Sequence, residues 1–242
     1  MSWITVVAVL WGAGTGLLIP RVAYRLSVPW GESWRTACPA GHPLEGIGSG
    51  WLGRARCTDG ESFGPNTPVI SSVVAMVCGV LAVAAGARPE LLVWLLLAPI
   101  AVVLALVDVA VHRLPDVVIL PFVACALVGL GGAALLPGAG GSWRAALLGS
   151  FTLGVCHLVL FLLNPGGFGF GDVKLAPALG AVLGWYGWGA LLIGTFAGYL
   201  FGALFGVGLI LVRRAGRSAA IPFGPFLLAG AFVGILLGSC TV

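Results

Sequence analysis

Charge is what this chain has least of. Of its 242 residues, 8% are charged and 60% are hydrophobic, whereas a soluble domain carries about 25% charged residues. So few polar groups could not cover a water-exposed globule, so the composition points to lipid as the solvent. Lysine is nearly absent: Lys174 stands alone beside the arginines. The net charge is only +4, and no basic stripe interleaved with aromatic residues occurs. That argues against nucleic acid as a partner and leaves the charge as orientation information. No Lys or Arg precedes the first apolar run, Ile4 to Ile19, while Arg21 and Arg25 follow it. This polarity is wrong for a cleaved signal and right for a retained first span. A regular disulfide framework is also missing. Cys78, Cys125, Cys156 and Cys240 lie in or beside apolar runs and read as small buried apolar residues.

Long apolar runs are abundant. A spanning helix needs about 20 apolar residues at about 1.5 Å per residue. That ruler places spans near 4–19, 68–87, 91–111, 117–136 and 144–163, and a last one near 221–238. The stretch Leu175 to Val212 would be about 57 Å long as a single helix. It therefore divides near Tyr186-Gly187, giving an all-α polytopic membrane protein of about eight spans. With the N-terminus outside, ten of the 12 basic residues fall on the cytoplasmic side: Arg21, Arg25, Arg35, Arg54, Arg56, Arg113, Lys174, Arg213, Arg214 and Arg217. Arg88 and Arg144 fall outside. Such a bias orients a membrane protein. Residues 1–67 then form a first helix plus a cytoplasmic loop subdomain with little regular structure. Residues 68–242 form a seven-helix membrane domain. The glycines Gly202, Gly206 and Gly208 have the small-residue spacing that lets helix backbones approach.

Three of the eight acidic residues, Asp108, Asp116 and Asp172, stand apart from the polar loops. Asp108 lies within the run Leu91 to Val111, about one turn from its cytoplasmic end. An intramembrane carboxylate is costly, by roughly 2.5–3.5 kcal/mol at a helix centre, and faces a bundle interior or a wet cavity. Asp172 closes the run Gly169-Phe170-Gly171-Asp172, where glycines break the helix and permit close approach. Asp172 then starts the sixth span, where the helix dipole favours a carboxylate. Both acids thus belong to the same membrane edge on different helices. Two such carboxylates can share a proton, one acting as base on water and the other as acid on a carbonyl. This chemistry needs no cofactor or metal. The alternative readings are an ion pair of Asp108 with Arg113 or Lys174, and a purely helix-stabilising Asp172. Asp116 reads as an N-cap of the fourth span, and Lys174 as an interfacial lysine or a group that orients substrate or tunes the acids.

The segments Asp108-x5-Leu114-Pro115-Asp116, Gly169-Phe170-Gly171-Asp172-Val173-Lys174-Leu175 and Ile221-Pro222-Phe223-Gly224-Pro225-Phe226 occur in that order. Together they resemble the blocks of the prepilin peptidases, membrane aspartic proteases with a GxGD signature. The resemblance covers roughly residues 68–240. It implies that Asp108 and Asp172 are the catalytic pair, with Gly169, Gly171, Lys174 and Asp116 supporting. It further implies that the substrates are type IV prepilins or pseudopilins, whose basic leader is removed at the inner face of the cytoplasmic membrane. Many members of that family carry two Cys-x2-Cys pairs that read as a zinc site. Here only Cys38, His42 and Cys57 stand in the corresponding loop. No metal site is expected, and S-adenosylmethionine-dependent methyl transfer, associated with that region, is left without support. A proton-coupled transporter using intramembrane Asp residues is the competing class. It accounts for Asp108 and the broken helix, but not for the three blocks together.

Overall fold

The computed structural model describes residues 2–167, 169–212 and 221–241, and these are arranged almost entirely as helices and their connections. In chain order the helices are α1 (Trp3–Gly16), α2 (Ile19–Leu26), α3 (Ile47–Gly50), α4 (Thr67–Ala85), α5 (Glu90–Val111), α6 (Asp116–Ala133), α7 (Trp143–Leu163), α8 (Phe170–Gly184), α9 (Trp188–Leu211) and α10 (Gly224–Ser239). Short polar side chains start several of them. The Asn66 Oδ1 accepts from Val69 N–H at 3.2 Å, and the Ser142 hydroxyl from Ala145 N–H at 3.4 Å. Pro99, Pro121 and Pro177 sit inside α5, α6 and α8, as membrane helices tolerate.

Among the described residues, five helices, α4, α5, α6, α7 and α9, are long and apolar enough to cross a membrane. Helices α1 and α2, bent by 41° at their junction, pass together as a sixth. The apolar α10 has 16 residues and α8 has 15, both shorter than a full span. The eight expected spans therefore map onto five full helices, one bent pair and two helices that fall short of a span by length. The long run from Leu175 is interrupted at 185–187, with Gly187 at φ +102°. Arg213, Arg214 and Arg217, used in the charge argument, and Phe168 lie outside the described residues.

Large apolar side chains such as Leu120, Phe151, Leu162 and Phe196 are exposed on the helix surfaces, as lipid-facing residues are. Cys156, on an outer face of α7, and Cys240, just past the end of α10, are exposed as well, unlike the buried Cys78. Small residues occupy the seams. A Cβ on Gly12 would lie 2.6 Å from the Val74 carbonyl oxygen, so α1 and α4 touch backbone to backbone. Gly149 of α7 and Gly180 of α8 abut in the same way, as do Gly198 of α9 and Gly230 of α10. Without a hydrophobic drive between helices in lipid, such close packing carries association. Gly202 and Gly206 likewise receive Phe223 and Ile221, whereas Gly208 faces open space.

The loop of residues 27–66 is more ordered than its composition suggests. It is stitched by the isolated bridges Ala37–Pro43, Ile47–Leu52 and Arg56–Ser62. Arginines of α2 anchor it: Arg21 donates to the Glu45 carbonyl, and Arg25 to the Ser49 carbonyl at 3.0 Å while lying over the Trp51 ring. These arginines are buried, and they organise this loop.

Candidate active site

Asp108 lies in the last turn of α5. That helix ends because His112 takes the left-handed conformation (φ +51°) while its N–H still bonds the Asp108 carbonyl at 2.8 Å. The Asp108 carboxylate is turned inward and is 6% exposed. Its Oδ2 accepts a 3.0 Å hydrogen bond from Gly224 N–H. Gly224 is the first residue of α10, so this N–H is one of the donors that a helix start leaves free. A Cβ there would lie 2.8 Å from Oδ2, so any larger residue would displace the carboxylate or the helix start.

Asp172 is arranged the same way on a second helix. It is the third residue of α8, is 7% exposed, and its Oδ2 lies beside Gly169, the residue that caps α8, where a Cβ would stand 3.3 Å away. Each acid therefore rests on a helix N-terminus, where backbone donors and dipole favour negative charge. Leu114 joins the two. Its side chain is 5% exposed, and a Cβ on Gly171 would lie 3.1 Å from its Cδ1, one on Gly224 3.6 Å. Gly171 and Gly224 thus let one leucine pack against the starts of α8 and α10.

Asp108 and Asp172 line one cavity of about 440 Å³. Among the described residues neither carboxylate has an ion-pair partner. The Arg113 guanidinium instead donates to the Pro29 carbonyl at 3.1 Å. Lys174 pairs with Asp116 at 2.5 Å and lies over the Phe170 ring. This corrects the N-cap reading of Asp116. Pro115 occupies the cap position, and Asp116, the first helical residue, turns its carboxylate to Lys174 across to α8. Reading the sequence missed Trp30 and Trp34, which come from the loop and line the same cavity. Two tryptophans in a polar segment next to a membrane were the available signal.

Cys38 and Cys57 each open a tight turn and lie side by side. Cys38 N–H bonds the His42 carbonyl at 2.9 Å, and Cys57 N–H bonds the Glu61 carbonyl at 2.7 Å. Burial pushes the Cys38 thiol up, but hydrogen bonds from the Cys57 thiol and from the backbone of His42 and Ala40 bring it down to about 7. The positions three residues after each cysteine are Gly41 and Gly60, at φ +87° and +85°. The turns survive, while the second sulfur of each pair is replaced by a residue without a side chain. His42 Nδ1 is 3.8 Å from Cys38 Sγ and 3.5 Å from Asp59 Oδ2. Among the described residues no three such groups are arranged to hold a metal ion, so these side chains do not fit a closed zinc site.

The fold and cavity define a multi-pass membrane protein with two buried acids facing a common space. A model of the type IV leader peptidase family matches residues 95–238. A prepilin leader peptidase/N-methyltransferase of Aeromonas salmonicida is 33% identical over 225 residues, covering 89% of this chain and 74% of that protein. One of Burkholderia pseudomallei is 31% identical over 251 residues, covering 98% of this chain and 77% of that protein. One of Pseudomonas putida is 33% identical over 190 residues, covering 76% and 64%. No solved structure matches. The chain belongs to the type IV leader peptidase family and is a protease.

Proposed function

We propose that this protease removes the basic leader from type IV prepilins or pseudopilins at the cytoplasmic membrane, with Asp108 and Asp172 as its catalytic pair. The observation that carries the reading is the shared cavity, in which each carboxylate is held by a helix N-terminus and neither is neutralised by a cation among the described residues. A water held between them would lose a proton to one carboxylate and attack the scissile carbonyl. The other carboxylic acid would protonate that carbonyl oxygen, and proton return to the amine would complete cleavage. The fixed N–H of Gly224 at Asp108 and the helix start that carries Asp172 spare the pair from reorganising as charge moves.

The N-terminus is outside in this reading, which puts the cavity at the cytoplasmic edge. Residues 1–67 and 68–242 then work together, because Trp30 and Trp34 of the loop subdomain wall the cavity formed by the peptidase domain. A substrate's apolar helix stays in the bilayer, and its basic leader stays in the aqueous compartment. Gly169 and Gly171 give the close approach that an extended backbone needs, and Lys174 and Asp116 stand as a charged pair at the rim. The transporter alternative has no comparable support, since the relatives are named as peptidases.

The test is co-expression with a type IV prepilin, read by the gel shift of leader removal. Asp108→Asn and Asp172→Asn are each expected to abolish the shift while the protein still inserts. Normal processing by both variants refutes the pair.

A further inference from the structure

His157 is an ionisable side chain in the middle of α7, 2% exposed, and the aspartate mechanism does not use it. Such a residue within a span is costly unless its polar atoms are satisfied, and it calls for a reason. Both ring nitrogens are occupied. Nδ1 lies 3.0 Å from the Leu153 carbonyl oxygen. A carbonyl only accepts, so Nδ1 carries the proton, which in the neutral ring leaves Nε2 bare. Nε2 then accepts from the Tyr199 hydroxyl of α9 at 3.1 Å, which fixes the tautomer and the direction of the tyrosine. The two rings lie nearly parallel, at 21° with centroids 6.0 Å apart.

The Tyr199 ring packs in turn on Phe223, with centroids 5.4 Å apart. Phe223 is wedged on its other side into the gap left by Gly202, where a Cβ would lie 2.5 Å from its ring. Its carbonyl accepts the first-turn N–H groups of Phe226 and Leu227, both at 3.1 Å, and so begins α10. The next N–H, that of Gly224, is the one that holds Asp108. Phe223 also lines the acid cavity. A continuous set of packed and hydrogen-bonded groups thus leads from α7 through α9 to the donor on the carboxylate.

We infer that His157 and Tyr199 are positioning residues of this peptidase, which hold the Phe223 ring and hence the start of α10 so that Gly224 N–H meets Asp108. The inference rests on the aspartate pair proposed above. With its hydroxyl removed, the Tyr199 ring loses the hydrogen bond that fixes its position between the His157 and Phe223 rings. A small displacement of a group that sets a catalytic carboxylate lowers turnover far more than binding.

The experiment uses the full-length protein in detergent micelles with a purified type IV prepilin. Variants are Tyr199→Phe, His157→Leu and the double variant. Tyr199→Phe is expected to lower kcat roughly tenfold and leave KM within about twofold. Either single change leaves a polar group unsatisfied and lowers the melting temperature. The double change removes both polar partners and restores stability, but its kcat stays at the single-variant level. Unchanged kcat in Tyr199→Phe, a loss confined to KM, or a kcat that recovers together with melting temperature overturns the inference. Should Tyr199→Phe fail to insert, Phe223→Leu gives the same reading: kcat falls if the ring sets α10, and unchanged kcat overturns it. Asp108→Asn and Asp172→Asn run alongside. If they abolish cleavage while Tyr199→Phe leaves kcat alone, only this inference fails. If they cleave normally, the aspartate reading itself has failed.

Discussion

Replacing Gly224 by alanine adds one methyl group beside the Asp108 carboxylate. Its Cβ would stand 2.8 Å from Asp108 Oδ2 and 3.3 Å from Cγ, while ordinary contact begins at 3.4 Å. Relief requires the carboxylate or the start of α10 to retreat by about 0.6 Å, which stretches the 3.0 Å bond from Gly224 N–H. A hydrogen bond to a charged group contributes about 1.5–3 kcal/mol. At about 1.4 kcal/mol per decade, its loss at the carboxylate proposed to react lowers kcat roughly ten- to a hundredfold. The same loss should lower stability, offset in part by the roughly 1 kcal/mol by which alanine suits a helix better than glycine. Gly189→Ala is the control, since nothing lies within 4 Å of its Cβ. The assay is leader removal under single-turnover conditions, beside a melting curve. Gly224→Ala turning over within twofold of the unsubstituted protein would refute the geometry argued for Asp108.

Asp116→Asn breaks an ion pair whose side chains are 31% and 60% exposed on Lys174 and Asp116. Exposed pairs contribute about 0–1 kcal/mol, so cleavage should fall by less than about fivefold; a hundredfold loss in the same gel-shift assay would place Asp116 in the chemistry. In the loop, the Cys38 thiol sits at about 7, so its reactive thiolate grows as pH rises through neutrality. Alkylation of the Cys38 peptide by iodoacetamide, followed by mass spectrometry, should have its midpoint near pH 7. Cys57→Ala removes a donor and should move that midpoint upward; a wild-type midpoint at the usual thiol value of about 8.5 would contradict this.

Much of the architecture is legible in the order of the residues, because lipid imposes a simple rule. Apolar runs of sufficient length must be helices, since no water is present to satisfy their backbone. The same rule locates the break at 185–187, where one helix would overrun the bilayer. Asp108 is conspicuous because a carboxylate in such a run is costly, and Asp172 because glycines precede it. The ordering of the loop is not legible. It depends on Arg21 and Arg25 reaching carbonyls some 24 residues away along the chain, and such pairings have no local period. The partner of Asp116 escapes a local reading for a related reason. A capping position can be inferred from neighbours, whereas its pairing with Lys174 on α8 bridges 58 residues.

The amino-acid order alone determined that this is a multi-helix membrane protein with two carboxylates where carboxylates are expensive, because transfer cost and helix rise are properties of individual residues and short runs. Only the tertiary structure decided what surrounds those acids: a leucine seated between two glycines, a backbone N–H from a helix starting 116 residues further on, and a tyrosine held by a histidine behind it. These are contacts between distant segments, created when helices pack through their small residues, and no local pattern encodes which segments will meet.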